Sequence, residues 1–356
     1  MTTMHDTART PWPTNAWYVA ASADEVGDKP LARQITGLRM VFFRPAGGGV
    51  VALEDFCPHR GAPLSLGFVR GDTLVCGYHG LAVDCRGRAD NMPGQQVARF
   101  PAARNFPVIE RYGFIWVWPG DPEQASADKL HPLPWAESPD WAYGGGRFHI
   151  GCDYRLMIDN LMDLTHETYV HASSIGQKEI DEAPVRTEAT ADEVVTRREM
   201  ESIHAPPFWQ AALRGAGLPA DALVDRWQIC RFSLPSHVMI EVGVALAGQG
   251  GYDAPDASKA ASIVVDFITP ETETSHWYFW GMARRFAVDD AALTATIREG
   301  QRRIFSEDLD MLEQQQRNLS QYPDRKLLKL NIDAGGVRSR LMIDRAIARE
   351  RAAEPA

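Results

Sequence analysis

Cys57, His59, Cys76 and His79 constrain this chain more than any other residues in it. They form a Cys-x-His pair and a Cys-x-x-His pair separated by sixteen residues, each followed closely by glycine, Gly61 in one and Gly80 in the other. Thiolate and imidazole are borderline-soft ligands that suit zinc or iron. Three readings compete. A zinc ion would take all four tetrahedrally as a structural staple. A Rieske [2Fe–2S] centre would take both thiolates on one iron and both imidazoles on the other. The third is coincidence, two buried cysteines beside unrelated histidines. Each loop offers one ligand of each kind, whereas zinc fingers group like with like. That alternation favours a cluster in which each loop serves both irons. Cys85 falls outside the pattern and reads as a small buried residue.

Composition enters where it excludes. The five cysteines, Cys57, Cys76, Cys85, Cys152 and Cys230, are odd in number and too few for a disulfide scaffold in 356 residues, which fits a reducing compartment. A formal charge of −10 argues against a phosphate-backbone binder, so nucleic acid is set aside. The first fifteen residues, MTTMHDTARTPWPTN, lack the apolar stretch of a signal peptide. No run approaches the ~18 consecutive apolar residues of a membrane span. A cytoplasmic protein without a membrane partner is expected.

The length is enough for two cores at ~150 residues each. From Trp17 to Trp118 short strand-like runs alternate with Gly, Pro and Asp, as in RQITGLRMVFFRP, VVALEDF and FPVIERYGFIWVWPG. The stretch from Pro119 to Gly146 holds five prolines and reads as a connection. The expected division is residues 15–119 and 120–356. The second part mixes strand patterns (DRWQICRFSLPSHVMIEVGVAL, ASIVVDFITP, SHWYFWGMARRF) with a helix over Asp289 to about Gln321, capped by Asp289 or Asp290 and stopped before Pro323.

A second constellation lies in that part: Asp163, His166 and His171, within RLMIDNLMDLTHETYVHASSIG. At ~100° per residue, Asp163 and His166 share a helix face while His166 and His171 are about 140° apart. Both histidines can grip one ion only if the helix ends or bulges between them. Two imidazoles and a distant carboxylate would make a facial triad for Fe(II) with open positions. Glu307, Asp308 and Asp310 in FSEDLDMLEQQQ are all candidates for it. The competing reading is a surface helix with a solvated acidic pair.

Together, the CxH and CxxH domain, the DxxHxxxxH segment and the late acidic helix resemble the oxygenase component of the Rieske non-haem iron oxygenases. The resemblance runs from about Asn15 to Ile343. It is carried further by NAWYVA, EDFCPHRGAPLSLGFVRG, YRLMIDNLMDLTHETYVHASSIGQKEIDEAP, APPFWQAALRG, DRWQICRF and EDLDMLEQQQRN, which look like the members that O-demethylate methoxy-aromatic acids such as vanillate. It implies an α+β fold: an N-terminal antiparallel β Rieske domain, then a helix-grip (START-like) catalytic domain with a curved antiparallel sheet and long helices. It implies the cluster on Cys57, His59, Cys76 and His79, and mononuclear Fe(II) on His166, His171 and Asp308. Asp163 would bridge to His79 of a neighbouring subunit and orient His166, a role that tunes both metals. Asn160 would sit near the iron.

The resemblance also implies a homotrimer and a partner reductase carrying flavin and a plant-type [2Fe–2S] domain, which oxidises NADH. No GxGxxG fingerprint in a strand–turn–helix setting occurs here, so the nicotinamide chemistry belongs to that partner. Electrons would pass from the cluster through His79 and Asp163 to iron. With dioxygen, the substrate methyl group would be hydroxylated and the hemiacetal would collapse to a phenol and formaldehyde, protocatechuate being the phenol from vanillate. The alternatives are another methoxy or methyl aromatic acid, or a zinc-stapled ligand-binding protein without catalysis. For the substrate, Trp209, Trp227, Trp277 and Trp280 are candidate pocket walls, and Arg231, His237 and Arg284 are candidate carboxylate partners.

Overall fold

The computed structural model describes residues 11–97, 99–172 and 175–353. The first ten residues of the N-terminal stretch, and Ser173 and Ser174 of the histidine segment, lie outside them. The described chain forms two compact units. The first holds residues 1–133, 269–272 and 346–356, and the second holds 134–268 and 273–345, so the change of unit at Leu133 falls inside the proline-rich stretch.

The first unit is built from eleven short strands: β1 (Tyr18–Ser22), β2 (Leu31–Ile35), β3 (Leu38–Phe43), β4 (Val51–Glu54), β5 (Phe68–Arg70), β6 (Thr73–Val75), β7 (Ala82–Val83), β8 (Ala89–Asn91), β9 (Asn105–Phe106), β10 (Val108–Arg111) and β11 (Phe114–Val117). They make three antiparallel sheets, in the orders β1-β11-β10, β2-β3-β4-β9 and β5-β6-β7-β8. The loop after β4 carries Cys57 and His59, and the loop after β6 carries Cys76 and His79. Both cysteines belong to a buried cluster with Val41, Phe43, Leu53, Leu64, Leu74 and Leu81. The short, frequently turned strands match the dense Gly and Pro punctuation of the sequence.

The second unit contains β12 (Ala142–Ile150), α1 (Tyr154–Leu161), α2 (Glu167–Val170), α3 (Glu179–Glu182), β13 (Arg186–Ala189), β14 (Glu193–His204), α4 (Pro207–Gly215), β15 (Leu223–Ser233), β16 (His237–Leu246), β17 (Lys259–Thr272), β18 (Ser275–Arg284), α5 (Ala291–Gln321) and α6 (Ala334–Ala353). Its sheet has seven strands in the order β12-β18-β17-β16-β15-β14-β13. Register decides which side chains meet. Arg198 pairs with Gln228, Gln228 with Val242, and Val242 with Ser262, so these even-numbered positions share one face.

Helix α5 packs against β12 and β18. It starts as expected: the Asp290 carboxylate accepts from the Leu293 amide at 2.8 Å. Its buried residues are Ile297, Gln301, Phe305, Asp308 and Leu312, a single stripe at three- and four-residue spacing. The helix approaches closely because β12 presents Gly144 to it, and Gly146 makes room for the Trp280 ring. A Cβ at Gly144 would stand 2.8 Å from Thr294 Cγ2, and one at Gly146 would stand 2.8 Å from the Trp280 ring. The long helix against an antiparallel sheet is the architecture expected of the second domain. No helix among the described residues is long and apolar enough to cross a membrane.

Candidate active site

The two ligand loops are built alike. In the first, the Cys57 amide donates to the Ala62 carbonyl at 2.8 Å and Gly61 N donates back to Cys57 O at 2.8 Å. In the second, Cys76 N donates to Leu81 O at 2.8 Å and Gly80 N to Cys76 O at 3.0 Å. Closing each ring needs a positive φ four residues after the cysteine, +70° at Gly61 and +74° at Gly80. At Gly61 a side chain would also strike the Phe56 ring, 2.7 Å from the Cβ position.

The paired loops bring the two imidazoles together, with ring centroids 4.7 Å apart. Both thiols are buried, whereas His59 is half-buried and His79 is exposed. Burial pushes the Cys57 thiol up, the His59 amide opposes that, and Cys76 beside it raises it further. Two thiols facing each other in an apolar pocket call for a cation between them. The imidazoles lie nearer to solvent, on the side through which electrons would leave. This donor set fits a [2Fe–2S] cluster. Cys85 departs from expectation: it is half-buried, with its sulfur 3.3 Å from the Asp72 carbonyl. Cys152 and Cys230 are buried.

In the second unit the helix breaks before His166, not between the two histidines as their helical spacing had required. Helix α1 ends at Leu161, and His166 and His171 flank the single turn of α2. The cause is local. The Asp163 carboxylate accepts from both the amide and the hydroxyl of Thr165, at 2.7 and 2.6 Å, holding the chain in a turn that a helix cannot continue. The Asp163 carbonyl then accepts from His166 Nδ1 at 2.7 Å. In this chain the orienting contact to His166 therefore comes from the Asp163 backbone, while its carboxylate holds the turn.

Asp308 arrives from α5. Its carboxylate lies 3.7 Å from His166 Nε2 and 3.3 Å from His171 Nε2. Ligands ~2.1 Å from a common ion stand about 3 to 3.6 Å apart at neighbouring positions, so the spacing suits one metal. Among the described residues this is the trio whose ligand atoms all lie within 4.8 Å of one another. Of the three acidic candidates, Glu307 takes a different part: it accepts from His171 Nδ1 at 2.8 Å. Asp310 is exposed. With each Nδ1 donating to an oxygen, each Nε2 is the lone-pair atom that faces Asp308. Burial alone would pull the His171 pKa down, but Asp308 and Glu307 outweigh it and hold it above the ordinary value. The spot attracts positive charge, as an ion site must.

Asn160 on α1 donates to Asp308 at 3.0 Å, and its buried Oδ1 has no hydrogen-bond partner. It faces a cavity of about 130 Å³, whose walls also include His166, His171 and Asp308, together with Leu161, Ile240, Val242 and Phe305. Of the four tryptophans expected there, Trp209 lines it. Trp227 packs on Tyr252, Trp277 against His149, and Trp280 between Phe148 and Phe305. The expected carboxylate partners lie elsewhere. Arg231 pairs with Glu193 and Glu241, His237 packs on Phe267, and Arg284 ties the start of α5 through Phe286, Ala287, Asp290 and Thr294. Sequence reasoning missed Arg226 and Gln228, which do line the cavity.

Residues 16–104 match the Rieske [2Fe-2S] domain family, and residues 150–349 match the vanillate O-demethylase oxygenase C-terminal domain. The chain belongs to the vanillate O-demethylase oxygenase family. A vanillate O-demethylase oxygenase subunit from Pseudomonas sp. strain HR199 is 67% identical over 97% of this chain and 98% of that protein. Another, from Pseudomonas sp. strain ATCC 19151, is 69% identical over 89% of this chain and 96% of its own length. Among solved structures, dicamba monooxygenase bound to 3,6-dichlorosalicylic acid superposes with a TM-score of 0.88 at 32% identity, covering 96% of this chain and 99% of that one. As a member of the vanillate O-demethylase oxygenase family, the chain is an oxygenase with an N-terminal Rieske domain, which removes the zinc-stapled alternative.

Proposed function

We propose that this chain is the terminal oxygenase of a two-component monooxygenase that converts vanillate, or a closely similar methoxy-aromatic acid, to the phenol and formaldehyde. The observation that carries the reading is the trio His166, His171 and Asp308 in the wall of a largely apolar cavity large enough to admit part of an aromatic ring. The identity to the Pseudomonas subunits supports vanillate as the substrate. In balance, ArOCH3, dioxygen, NADH and a proton give ArOH, formaldehyde, NAD+ and water.

The domains under this reading are 15–119 for the cluster and 120–356 for the oxygen chemistry. Cys57, His59, Cys76 and His79 would hold the [2Fe–2S] cluster, and His166, His171 and Asp308 the iron. The cluster supplies electrons one at a time and the iron activates dioxygen. The chain's own contribution is positional. The Asp163 carbonyl and the Glu307 carboxylate fix the two imidazoles. Asn160 restrains Asp308, and its unpartnered Oδ1 is placed to accept a proton donor on the substrate. The apolar walls exclude water from the methyl group.

A reductase bearing flavin and a plant-type [2Fe–2S] domain would bring electrons from NADH, which places the protein in the cytoplasm. A homotrimer would set the cluster of one subunit against the iron of the next, with Asp163 meeting His79 across the boundary. The test is formaldehyde release from vanillate by the holoenzyme with reductase and NADH. Asp308→Ala should lose mononuclear iron and turnover while the cluster absorbance persists. Iron retained at the wild-type level would assign the ligand elsewhere.

A further inference from the structure

We propose that Arg226 is the residue that recognises the substrate's carboxylate. The inference rests on the reading of the substrate as an aromatic acid and names the group that would select it. Arg226 stands on β15, two residues from Gln228 on the same face, and both line the cavity that holds the His166, His171 and Asp308 trio.

The buried charges beneath that cavity are unequal. Arg198 and Arg226 are buried cations, and among the described residues Glu167 is the buried anion that acts on both, while Asp163, Asp181 and Glu179 act on one or the other from less buried positions. Glu167 is engaged through one oxygen: its Oε1 accepts from Arg198 at 3.1 Å and from Gln228 at 2.7 Å, while its buried Oε2 has no hydrogen-bond partner and none from Arg226. Arg198 is saturated further by the Gln228 side chain and the Leu164 carbonyl. Among the described residues no carboxylate forms an ion pair with Arg226. It donates to the neutral Gln177 amide at 2.5 Å, and its Nε has no hydrogen-bond partner. Burial lowers its pKa to about 10, with Glu167 and Glu179 opposing and Arg198 adding, so it stays charged at neutral pH. A buried guanidinium without a counterion is unfavourable unless an anion completes it. A carboxylate on a ring whose methoxy carbon is at the trio supplies that anion, and a guanidinium suits it in geometry as well as charge.

The experiment compares vanillate with its neutral isostere 4-hydroxy-3-methoxybenzamide, in wild type, Arg226→Gln and Arg226→Lys. Binding is measured by calorimetry on the holoenzyme, and formaldehyde release with reductase and NADH. Wild type should prefer vanillate, and Arg226→Gln should weaken vanillate by about 10²-fold, mainly in Kd and KM, while the amide changes little. Arg226→Lys should fall between them. Metal content and melting temperature should match wild type in any variant that is scored.

Equal affinity of wild type for acid and amide overturns the proposal even if both variants fail to fold. So does an Arg226→Gln protein that keeps the preference, or one that loses both ligands alike. Wild type that binds aromatic carboxylates through Arg226 but releases no formaldehyde would retain this assignment and refute the demethylation reading instead.

Discussion

Glu307 and Asp308 are neighbours in sequence, yet they meet His171 at its two different nitrogens. That division makes Glu307 a positioning residue. Glu307→Gln should lower iron affinity about 10- to 100-fold with an unchanged cluster spectrum, read as iron content after dialysis against a chelator. Loss of the cluster as well would refute a local role. Asp308 was partly legible beforehand: it falls in the helical phase of Ile297, Phe305 and Leu312, which Asp310 does not. Arg226 was not legible, because Trp227 and Ile229 on the opposite face are buried too, against Ala245 and Ala254. With both faces covered, alternation no longer marks the inward side. Asp266, fully buried on β17, gives a pH prediction. Burial raises its carboxyl pKa to about 8, the Tyr278 hydroxyl at 2.6 Å opposes this, and Asp308 adds to it. The native state therefore keeps a proton that the unfolded chain loses near pH 4. This contribution is complete below that value, falls by about 1.4 kcal/mol per unit as pH rises to about 8, and is level above. Asp266→Asn should lack the slope, so its melting temperature should gain on wild type from pH 5 to pH 8. Parallel curves would contradict it.

At the scale of elements, the break between α1 and α2 is what brings His166 and His171 to Asp308 at the proposed metal site. Periodicity called for an interruption between His166 and His171, but the structure interrupts the helix before His166, at a turn made by Asp163 and Thr165 that leaves no mark in hydrophobic spacing, and sets one short helical turn between the two histidines. The strands and α5 were legible because turn residues and caps are local, as Asp290 shows. The packing of α5 on Gly144 is a tertiary fact and could not be read locally. Asp163 now carries two separable assignments, the turn and the proposed electron path. Asp163→Asn keeps an oxygen for Thr165 and removes the charge. Asp163→Ala removes both, and should cost about 1 to 2 kcal/mol of stability. If the path runs through this carboxylate, Asn should cut turnover at least tenfold with a wild-type melting temperature and full metal content. Wild-type turnover in Asn would leave Asp163 only the turn.

At the scale of the whole molecule, the proposed cluster ligands belong to one unit of the chain and the proposed iron trio to the other, so the proposed trimer makes a claim about which copies cooperate. In a head-to-tail ring, each boundary joins one subunit's cluster to the next subunit's iron. Two variants that are each inactive should then rescue one another. Asp308→Ala keeps a cluster and lacks iron, and Cys57→Ser with Cys76→Ser keeps the iron trio and lacks the cluster. Unfolded, mixed in equal amounts and reassembled, or co-expressed with different tags and purified through both, they form rings in which some boundaries pair a working cluster with a working iron. Random assembly gives about a quarter of boundaries in that state, or about a third once purification through both tags has removed the unmixed rings, and so about that fraction of wild-type formaldehyde release per protomer. If electrons instead pass within one chain, no mixture regains activity, because neither variant contains both centres. Light scattering on the same samples checks that the mixed species has three subunits, and a monomer that remains fully active would remove the ring from the mechanism.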